Sequence, residues 1–387
     1  QITVSKAAYS QDQTYAPSVQ NPNPIKVHST VAAGQITQAT FAIDRISSLA
    51  VSSLSEACQP VSGANFVMTG EKLIGTNPDV PKFSQSFATD ANGAVSVGGV
   101  EWDNYSFSVT HATNDLRGTI PLPPLNIVPN SSQNLKFILE PKNPSALLIT
   151  VKDAATGLPL TNASVTLTGG SYANTQTTGR GAWRQTDWSG GSGQLLFIDS
   201  AKYDAQDGNI DILSPAGELK LITIATSTYA SSGVLTSSVF DAGSASNFYD
   251  IFLAPQSQTP DAGPDSLRVQ IATATTSVPA SWNFLGPDGT GATYYTAALT
   301  GINSIHNGDR YARYQVYLGT ASSTFTPNLS DFALTFASAC VPPGQVLFSG
   351  LTSQTYNLSV NLAGYQPYNG LATVNFPWQE TVVSLSQ

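Results

Sequence analysis

Charged residues are scarce in this chain, and their scarcity narrows the classes of function that it can serve. Asp, Glu, Lys and Arg make up 11% of the 387 residues, against roughly 25% in an average soluble domain. The polar surface must therefore come from Ser, Thr, Asn and Gln. The net charge is -9 and no run of basic residues occurs. Because phosphate neutralisation needs clustered Lys and Arg, the sequence predicts no nucleic-acid partner and disfavours an anionic membrane surface.

Long apolar runs and a signal peptide are also missing. No stretch approaches the roughly 20 apolar residues of a membrane helix, so we expect no transmembrane segment. The chain opens inside a strand-like repeat, and we expect it to be a fragment whose export signal lay upstream. Its two cysteines, Cys58 and Cys340, either form the single disulfide that would suit an exported protein or are two unpaired small hydrophobic residues.

Histidine is nearly absent, which limits acid–base catalysis. The histidines are His28, His111 and His306. A serine nucleophile usually needs a histidine base. His306 lies close to Asp309, and the glycine-rich stretch 187–193 can expose Ser189, although no Gly-x-Ser-x-Gly elbow occurs. Ser189, His306 and Asp309 are thus candidate catalytic residues of a serine ester hydrolase. A flexible loop is the alternative interpretation of the stretch.

Short alternating segments are what the chain has in abundance. Helical periodicity is almost absent, and 24 Pro and 31 Gly residues separate runs of alternating apolar and polar side chains, as is typical of β-sandwiches. A strand–loop–strand unit repeats, with opening strands at 2–9, 105–110 and 358–365 and closing strands at 34–43, 133–139 and 380–385. Repetition of this unit predicts an all-β fold of tandem small β-sandwich modules.

The repeats predict four domains, one of them inserted into another. Residues 1–48 are expected to be the C-terminal part of a truncated module, and residues 49–144 a complete one. The next module splits into 145–196 and 340–387, around an inserted jelly-roll-like domain at 197–339. Two degenerate half-modules are the alternative, but each half would expose unpaired strand edges, which native proteins avoid.

Three short motifs resemble the carboxypeptidase regulatory-like domain, a small transthyretin-like β-sandwich. They are Pro-Leu-Thr-Asn-Ala-Ser-Val at 159–165, Thr-Asp-Ala-Asn-Gly at 89–93 and Ala-Gly-Tyr at 363–365. Two features depart from the pattern: Ala8 replaces the expected glycine before Tyr9, and the split module lacks the Thr-Asp-x-x-Gly step. The resemblance implies modules that bind or space rather than catalyse.

Four further segments resemble large pilin-like surface proteins of candidate-phyla bacteria. They are residues 12–17, 75–80, 186–191 and 285–290. In those relatives a prepilin-type helix precedes the modules, and this sequence lacks one. The resemblance implies an extracellular or cell-surface location, with pilus components as partners.

One acidic turn is a candidate calcium site, and Ca²⁺ is the only cofactor that the sequence predicts. Oxygen-bearing side chains surround Gly208, as hard cations prefer. The candidate ligands are Asp204, Asp207, Asn209 and Asp211. The spacing is not that of an EF-hand, and a plain Asp-Gly turn is the alternative.

Aromatic residues in predicted loops are candidate ligand-binding residues, because exposed Trp and Tyr stack against sugar rings or flat polymers. They are Trp183, Trp188, Trp282, Tyr294 and Tyr295. The alternative is that they fill the core, since large aromatics supply much of a β-protein's buried apolar area.

Together these patterns predict an extracellular or cell-surface β-sandwich array. We expect it to act in adhesion or as a pilus-associated component by binding a surface polymer or glycan. Two alternatives stay open at this point, a surface-displayed hydrolase of polymeric esters and a purely structural array of spacers.

Overall fold

Two compact units make up the structure, a computed structural model that describes residues 1–189 and 201–387. Unit 1 comprises Gln1–Ser55, Gln59–Gly179 and Pro342–Gln387. Unit 2 comprises Glu56–Cys58 and Arg180–Val341. The described residues contain many strands and no α-helix, which confirms the predicted all-β class with tandem β-sandwiches. No helix in the described ranges has the length and apolar character needed to cross a bilayer.

The first part of unit 1 contains fifteen strands. They are β1 (Thr3–Val4), β2 (Asp12–Gln13), β3 (Ser47–Leu54), β4 (Asn65–Gly70), β5 (Leu73–Gly75), β6 (Val80–Pro81), β7 (Ser84–Ala88), β8 (Ala94–Val100), β9 (Asp103–Thr110), β10 (Asn114–Ile120), β11 (Leu125–Ile127), β12 (Ser132–Pro141), β13 (Ala146–Asp153), β14 (Ser164–Gly169) and β15 (Tyr172–Thr177).

Unit 2 follows with thirteen described strands and two 3₁₀ turns, at Pro260–Ala262 and Ser304–His306. The strands are β16 (Gly181–Gln185), β17 (Tyr203–Gln206), β18 (Ile210–Leu213), β19 (Ala216–Leu221), β20 (Thr223–Ala225), β21 (Thr228–Tyr229), β22 (Ser232–Ser237), β23 (Phe240–Ala254), β24 (Leu267–Ala274), β25 (Leu299–Gly301), β26 (Asp309–Gly319), β27 (Asn328–Leu329) and β28 (Asp331–Ala337). The chain then completes unit 1 with β29 (Gln345–Phe348), β30 (Gln354–Asn361), β31 (Tyr368–Val374) and β32 (Trp378–Leu385).

The first sandwich of unit 1 consists of a sheet in the order β10-β12-β3-β8 and a sheet in the order β11-β9-β4-β7. Successive side chains of a strand point to opposite faces. Alternate residues therefore enter one core, for example Leu49 and Val51 from β3 and Phe66 and Met68 from β4.

The second sandwich of unit 1 combines strands from both sides of unit 2 in sequence. Its sheets have the orders β29-β13-β32 and β15-β14-β30-β31. Strand β14 pairs with β30 in antiparallel register, from Ser164 opposite Asn361 to Thr168 opposite Asn357. Strand β13 pairs in parallel with β32. Their side chains share one hydrophobic core, so the two distant segments complete a single sandwich.

Unit 2 is built around a sheet in the order β16-β28-β23-β26-β22-β17, with β24 paired to β26. Its core is aromatic. The ring of Trp183 stacks on Phe240 with centroids 4.4 Å apart, and Tyr314 stacks on Phe332 at 4.0 Å. On β26 the even-numbered residues from Ala312 to Leu318 are buried in this core. Residues 313, 315 and 317 therefore lie on the outer face.

The structure corrects two of the predicted strands. Residues 34–43, all of them described, form no strand, and β1 is shorter than the predicted strand 2–9. Ile36 is 99% exposed, so the alternating segment has no second layer to pack against. The main segment of unit 2 begins at Arg180, and its first strand, β16, pairs with β28. The boundary predicted between 196 and 197 lies outside the described residues. That unit 2 is a jelly-roll-like insert stays a prediction.

A disulfide joins the short segment Glu56–Cys58 of unit 2 to the C-terminal end of its main segment, Arg180–Val341. Cys58 and Cys340 are bonded, with their Cα atoms 5.5 Å apart. The segment Glu56–Cys58 packs tightly on Gly243, where a Cβ would lie 2.3 Å from the carbonyl oxygen of Ala57. Gly243 also has a φ of +81°, which other residues adopt only with strain. The structure thus decides in favour of pairing.

Candidate ligand-binding face

The outer face of β24 and β26 carries a cluster of aromatic, amide and arginine side chains. In the antiparallel register Arg268 lies opposite Tyr317, and Gln270 lies opposite Gln315. The loop between β24 and β25 adds two more aromatic side chains. We call this cluster the aromatic face, and its members are Arg268, Gln270, Trp282, Tyr294, Arg313, Gln315 and Tyr317.

Buried amides fix the loop on the sheet. Nε2 of Gln270 donates hydrogen bonds to the backbone carbonyls of Gly291 at 3.0 Å and Thr293 at 2.9 Å. Gln270 itself is only 3% exposed. The next residue, Tyr294, then packs edge-to-face on Tyr317, with ring centroids 5.2 Å apart. The position of Tyr294 is thus set by the sheet and not by the loop alone.

Amides also hold the hydroxyl of Tyr317. It lies 2.8 Å from Oε1 of Gln270 and 2.6 Å from Oε1 of Gln315, and its single proton serves one of them at a time. Nε2 of Gln315 donates in turn to Oγ1 of Thr236 at 3.0 Å. Burial raises the pKa of Tyr317, so the hydroxyl stays protonated at neutral pH.

Arg268 places a positive charge against both tyrosines. Its guanidinium carbon lies 4.7 Å from the ring centroid of Tyr294 and 6.0 Å from that of Tyr317. Its Nε atom is shielded from solvent and has no hydrogen-bond partner among the described residues. Cation–π attraction of this kind contributes about 0.5–1 kcal/mol at exposed sites and more when desolvated.

Trp282 covers the other end of the face. Beneath it, Arg313 donates from Nε and Nη2 to the carbonyl of Ser237, at 2.9 and 2.7 Å. Arg313 also forms an ion pair with Asp204, 2.6 Å between Nη2 and Oδ2. Its guanidinium carbon lies 5.4 Å from the ring centroid of Trp282. Arg313 is only 8% exposed, so the indole lies over a buried guanidinium that Ser237 and Asp204 hold in place.

The two ends of the face are well separated. Arg313 and Tyr317 are four residues apart on one strand, which corresponds to about 13 Å. Half-buried aromatic rings, amides and fixed positive charge along such a span suit an extended ligand that offers both apolar ring faces and hydroxyl groups.

Two of the five aromatic residues predicted to bind ligand, Trp282 and Tyr294, belong to this face. The other three are core residues: Trp183 is 2% exposed, and Trp188 and Tyr295 are fully buried. Nε1 of Trp188 donates to the hydroxyl of Tyr314 at 2.7 Å. Tyr295 follows Tyr294 directly and therefore points to the opposite side.

Sequence reasoning missed the residues of the face that come from strands. These are Arg268, Gln270, Arg313, Gln315 and Tyr317. A usable signal was present in β26, where large polar residues alternate with core residues from 312 to 318. The pattern shows which side faces outward, but not which loop aromatics cover it.

The three candidate catalytic residues do not form a hydrogen-bonded triad. Nδ1 of His306 lies 3.1 Å from Oγ1 of Thr273, which donates to Oδ2 of Asp309 at 2.7 Å. Burial lowers the pKa of His306 to about 4, against a weaker opposing effect of Asp309. At neutral pH the imidazole is therefore uncharged.

Ser189 is engaged elsewhere. Its hydroxyl donates to Oδ1 of Asp187 at 2.5 Å, and in the described part of the chain no hydrogen bond joins it to His306. The hydroxyl and Lys202 together lower the pKa of Asp187 to about 2, with Lys202 the larger cause. The rest of the predicted glycine-rich turn, residues 190–193, lies outside the described residues.

The four candidate calcium ligands do not converge either. Asp204 pairs with Arg313. Oδ1 of Asp207 accepts from the backbone N–H of Asn209 at 2.9 Å, and Oδ1 of Asp211 accepts from that of Leu213 at 2.8 Å. Within residues 1–189 and 201–387, no group of three or more His, Cys, Asp or Glu side chains is placed to hold a metal ion.

Comparison with known proteins gives only distant structural likenesses. No protein-family model and no curated protein matches the chain. Three solved structures illustrate the likenesses. A streptococcal ancillary pilin is 9% identical, covers 88% of this chain and 62% of its own, and has a TM-score of 0.20. The Bacillus anthracis TIE protein is 12% identical and covers 90% and 52%, also with a TM-score of 0.20. A variant of BcpA, the major pilin subunit of Bacillus cereus, is 7% identical and covers 89% and 100%, with a TM-score of 0.26.

The chain therefore spans less than two thirds of the length of the first two of these structures. TM-scores this low do not establish a shared topology, and the function is argued below from the residues of the chain itself.

Proposed function

We propose that the protein is an extracellular, surface-displayed array of β-sandwiches whose unit 2 binds a glycan or a similar polymer at the aromatic face. The observation that carries this proposal is the arrangement of Trp282, Tyr294 and Tyr317 over a rigid base of amides and arginines. A span of about 13 Å between Arg313 and Tyr317 fits several units of a polymer better than one small molecule.

The disulfide supports the location. Bonds such as Cys58–Cys340 persist in oxidising surroundings and are rare in cytosolic proteins. The low charge content and the hydroxyl- and amide-rich surface agree with an exported protein. Unit 2 lies in sequence between the two halves of the second sandwich, and we interpret it as an inserted domain that unit 1 displays. Association with pilus components is part of the same proposal and rests on the sequence resemblance.

Retention on insoluble polysaccharides tests the proposal. The full chain is incubated with cellulose, chitin, xylan and starch, and bound protein is measured against free concentration. We expect at least one polymer to retain it. Tyr294→Ala and Tyr317→Ala should each weaken retention about tenfold, which corresponds to about 1.4 kcal/mol.

Tyr249→Ala is the matched control. Tyr249 is also half-buried and also packs against an arginine, with the guanidinium carbon of Arg180 3.9 Å from its ring centroid, but it lies outside the aromatic face. Equal loss of retention in Tyr249→Ala and Tyr317→Ala would argue against the face. Absence of retention on every polymer, with protein shown to be folded by circular dichroism, would overturn the proposal.

A further inference from the structure

Unit 2 contains a cleft apart from the aromatic face. It is a cleft of about 280 Å³ between the end of β23, the connection to β24, and residues 296–298. Its apolar walls are Leu253, Pro255, Pro260, Pro264 and Leu267. Proline has a fixed φ, so these walls are stiff. No member of the aromatic face lines the cleft.

Ser266 supplies an unpaired polar group to the wall of the cleft, which is the observation that indicates a ligand. The residue lines the cleft and is 4% exposed. Its hydroxyl has no hydrogen-bond partner among the described residues. A buried hydroxyl left unpaired is energetically unfavourable, and native structures rarely keep one without a reason. A hydroxyl or amide of a bound molecule would remove that cost.

The remaining polar lining is neutral apart from one carboxylate. The amide of Gln258 is already engaged, since Nε2 donates to the carbonyl of Asn328 and Oε1 accepts from its N–H, at 2.9 and 2.8 Å. Asp265 is exposed at the rim and has no ion-pair partner in the described ranges. No Lys, Arg or His lines the cleft. Without a basic group, an anionic ligand would meet only repulsion from Asp265.

We propose that this cleft binds a single neutral hexose residue, either free or at the end of a glycan chain. The volume is close to the lower end of the roughly 300–1,000 Å³ of ligand sites, which suits one sugar ring. The proline and leucine walls pack against its C–H face. Asp265 accepts hydrogen bonds from two neighbouring hydroxyls, and Ser266 pairs with a third. This site goes beyond the polymer-binding face and does not depend on it.

Chemical-shift titration of the full, isotope-labelled chain tests the inference. The probes are the methyl glycosides of glucose, galactose and mannose, with glucuronic acid as the charged comparison. At least one neutral glycoside should shift the backbone amides of 256–267 in a saturable way. Glucuronic acid should shift them at least fivefold more weakly. Failure of all three neutral probes, or equal binding of glucuronic acid, would overturn the inference.

Two variants and one matched control locate the site. Asp265→Asn and Ser266→Ala should each weaken the binding at least fivefold. Both should fold, because Asp265 has a φ of +52°, which Asn tolerates, and the hydroxyl of Ser266 has no partner to lose. Asp261→Asn is the control, since Asp261 is an exposed carboxylate four residues away that does not line the cleft. If all three variants bind like the parent protein, the cleft is not the site.

Tyr317→Ala separates this inference from the proposed function. It should weaken retention on the polymer about tenfold and leave the glycoside titration of 256–267 unchanged. If the parent chain is retained on no polymer but shows the glycoside shifts at 256–267, the proposed function fails and the cleft stands. Polymer retention without any glycoside shift at 256–267 defeats the cleft and leaves the face standing.

Discussion

Strand β26 presents two tyrosines, three residues apart, to two different surroundings. Tyr314 points inward and is fully buried, with its ring on Phe332 and its hydroxyl bonded to Trp188 and to Gln185. Tyr317 points outward, is only half-buried, and shares its hydroxyl between two amides. The same residue type thus packs into the core on one face and leaves its ring partly exposed on the other.

On this account, the inner face of β26 contributes to the stability of the fold, and its outer face contributes to the proposed binding. Inner residues of unit 2 contribute packing and satisfied hydrogen bonds. Outer residues lie on strands whose positions that core fixes. Substitutions on the inner face should therefore change the free energy of unfolding, and substitutions on the outer face should change binding.

The largest effect is expected from a pair of tryptophans, one on each face. Trp183→Ala removes an indole stacked on Phe240 and should lower the free energy of unfolding by about 3–5 kcal/mol. Trp282→Ala should lower it by less than about 1 kcal/mol while weakening polymer retention. Guanidinium unfolding followed by circular dichroism measures both. A cost for Trp282→Ala as large as that for Trp183→Ala would erase the distinction.

The next effect comes from His306, which contacts Thr273 on the inner side of β24. Because its folded-state pKa is about 4 and its unfolded value about 6.5, the unfolded chain binds the proton first. The stabilisation is complete above pH 6.5 and is lost as the pH falls towards 4, by about 3 kcal/mol in total. Urea unfolding across this range checks it. His306→Gln should flatten the slope between pH 6.5 and 4.5, and an unchanged slope would show that other groups cause it.

A smaller effect should follow from removing single hydroxyls. Tyr314→Phe leaves Nε1 of Trp188 and Oε1 of Gln185 without their buried partner and should cost about 1–3 kcal/mol. Tyr317→Phe removes a half-buried hydroxyl that shares one proton between two amides and should cost less, about 0.5–1 kcal/mol. Thermal unfolding of the two variants side by side gives the comparison. Equal shifts in Tm would contradict it.

The smallest effect is expected at Asp204, whose side chain is largely exposed where it pairs with Arg313. Asp204→Asn should cost less than about 1 kcal/mol, as surface ion pairs do. The same cost is expected in calcium and in chelator, because the structure engages Asp204 with an arginine. A calcium-dependent Tm that disappears in Asp204→Asn would instead restore the predicted calcium site.

Parts of this fold could be predicted from the sequence, and the reason is local. Alternation in β14 and β30 depends only on which side chains face a core, and it was visible at 163–167 and 358–362. Residues 146–151 of β13 are instead a mainly apolar run, and all six are buried. The same alternation at 34–43 was misleading, because no second layer covers it. Strand pattern alone does not show whether a partner surface exists.

The aromatic face was harder to predict, since it depends on pairing between distant segments. Tyr294 and Tyr295 are adjacent and alike. The backbone pairing of Tyr295 with Val269, together with the bonds from Gln270 to the loop carbonyls, determines which ring turns outward. Trp183 lies on the edge strand β16, which pairs with β28, about 150 residues later in the chain. Contacts between residues so far apart in the sequence cannot be predicted from a local pattern.

The central claim is that the aromatic face, on the outer side of β24 and β26, binds a polymer. It is tested most directly by mapping amide chemical shifts when a soluble oligosaccharide of the retained polymer is added to the full chain. The account predicts the largest shifts at Arg268, Tyr294 and Tyr317, and little change at Tyr249. Shifts confined to unit 1, with none on these strands, would contradict it.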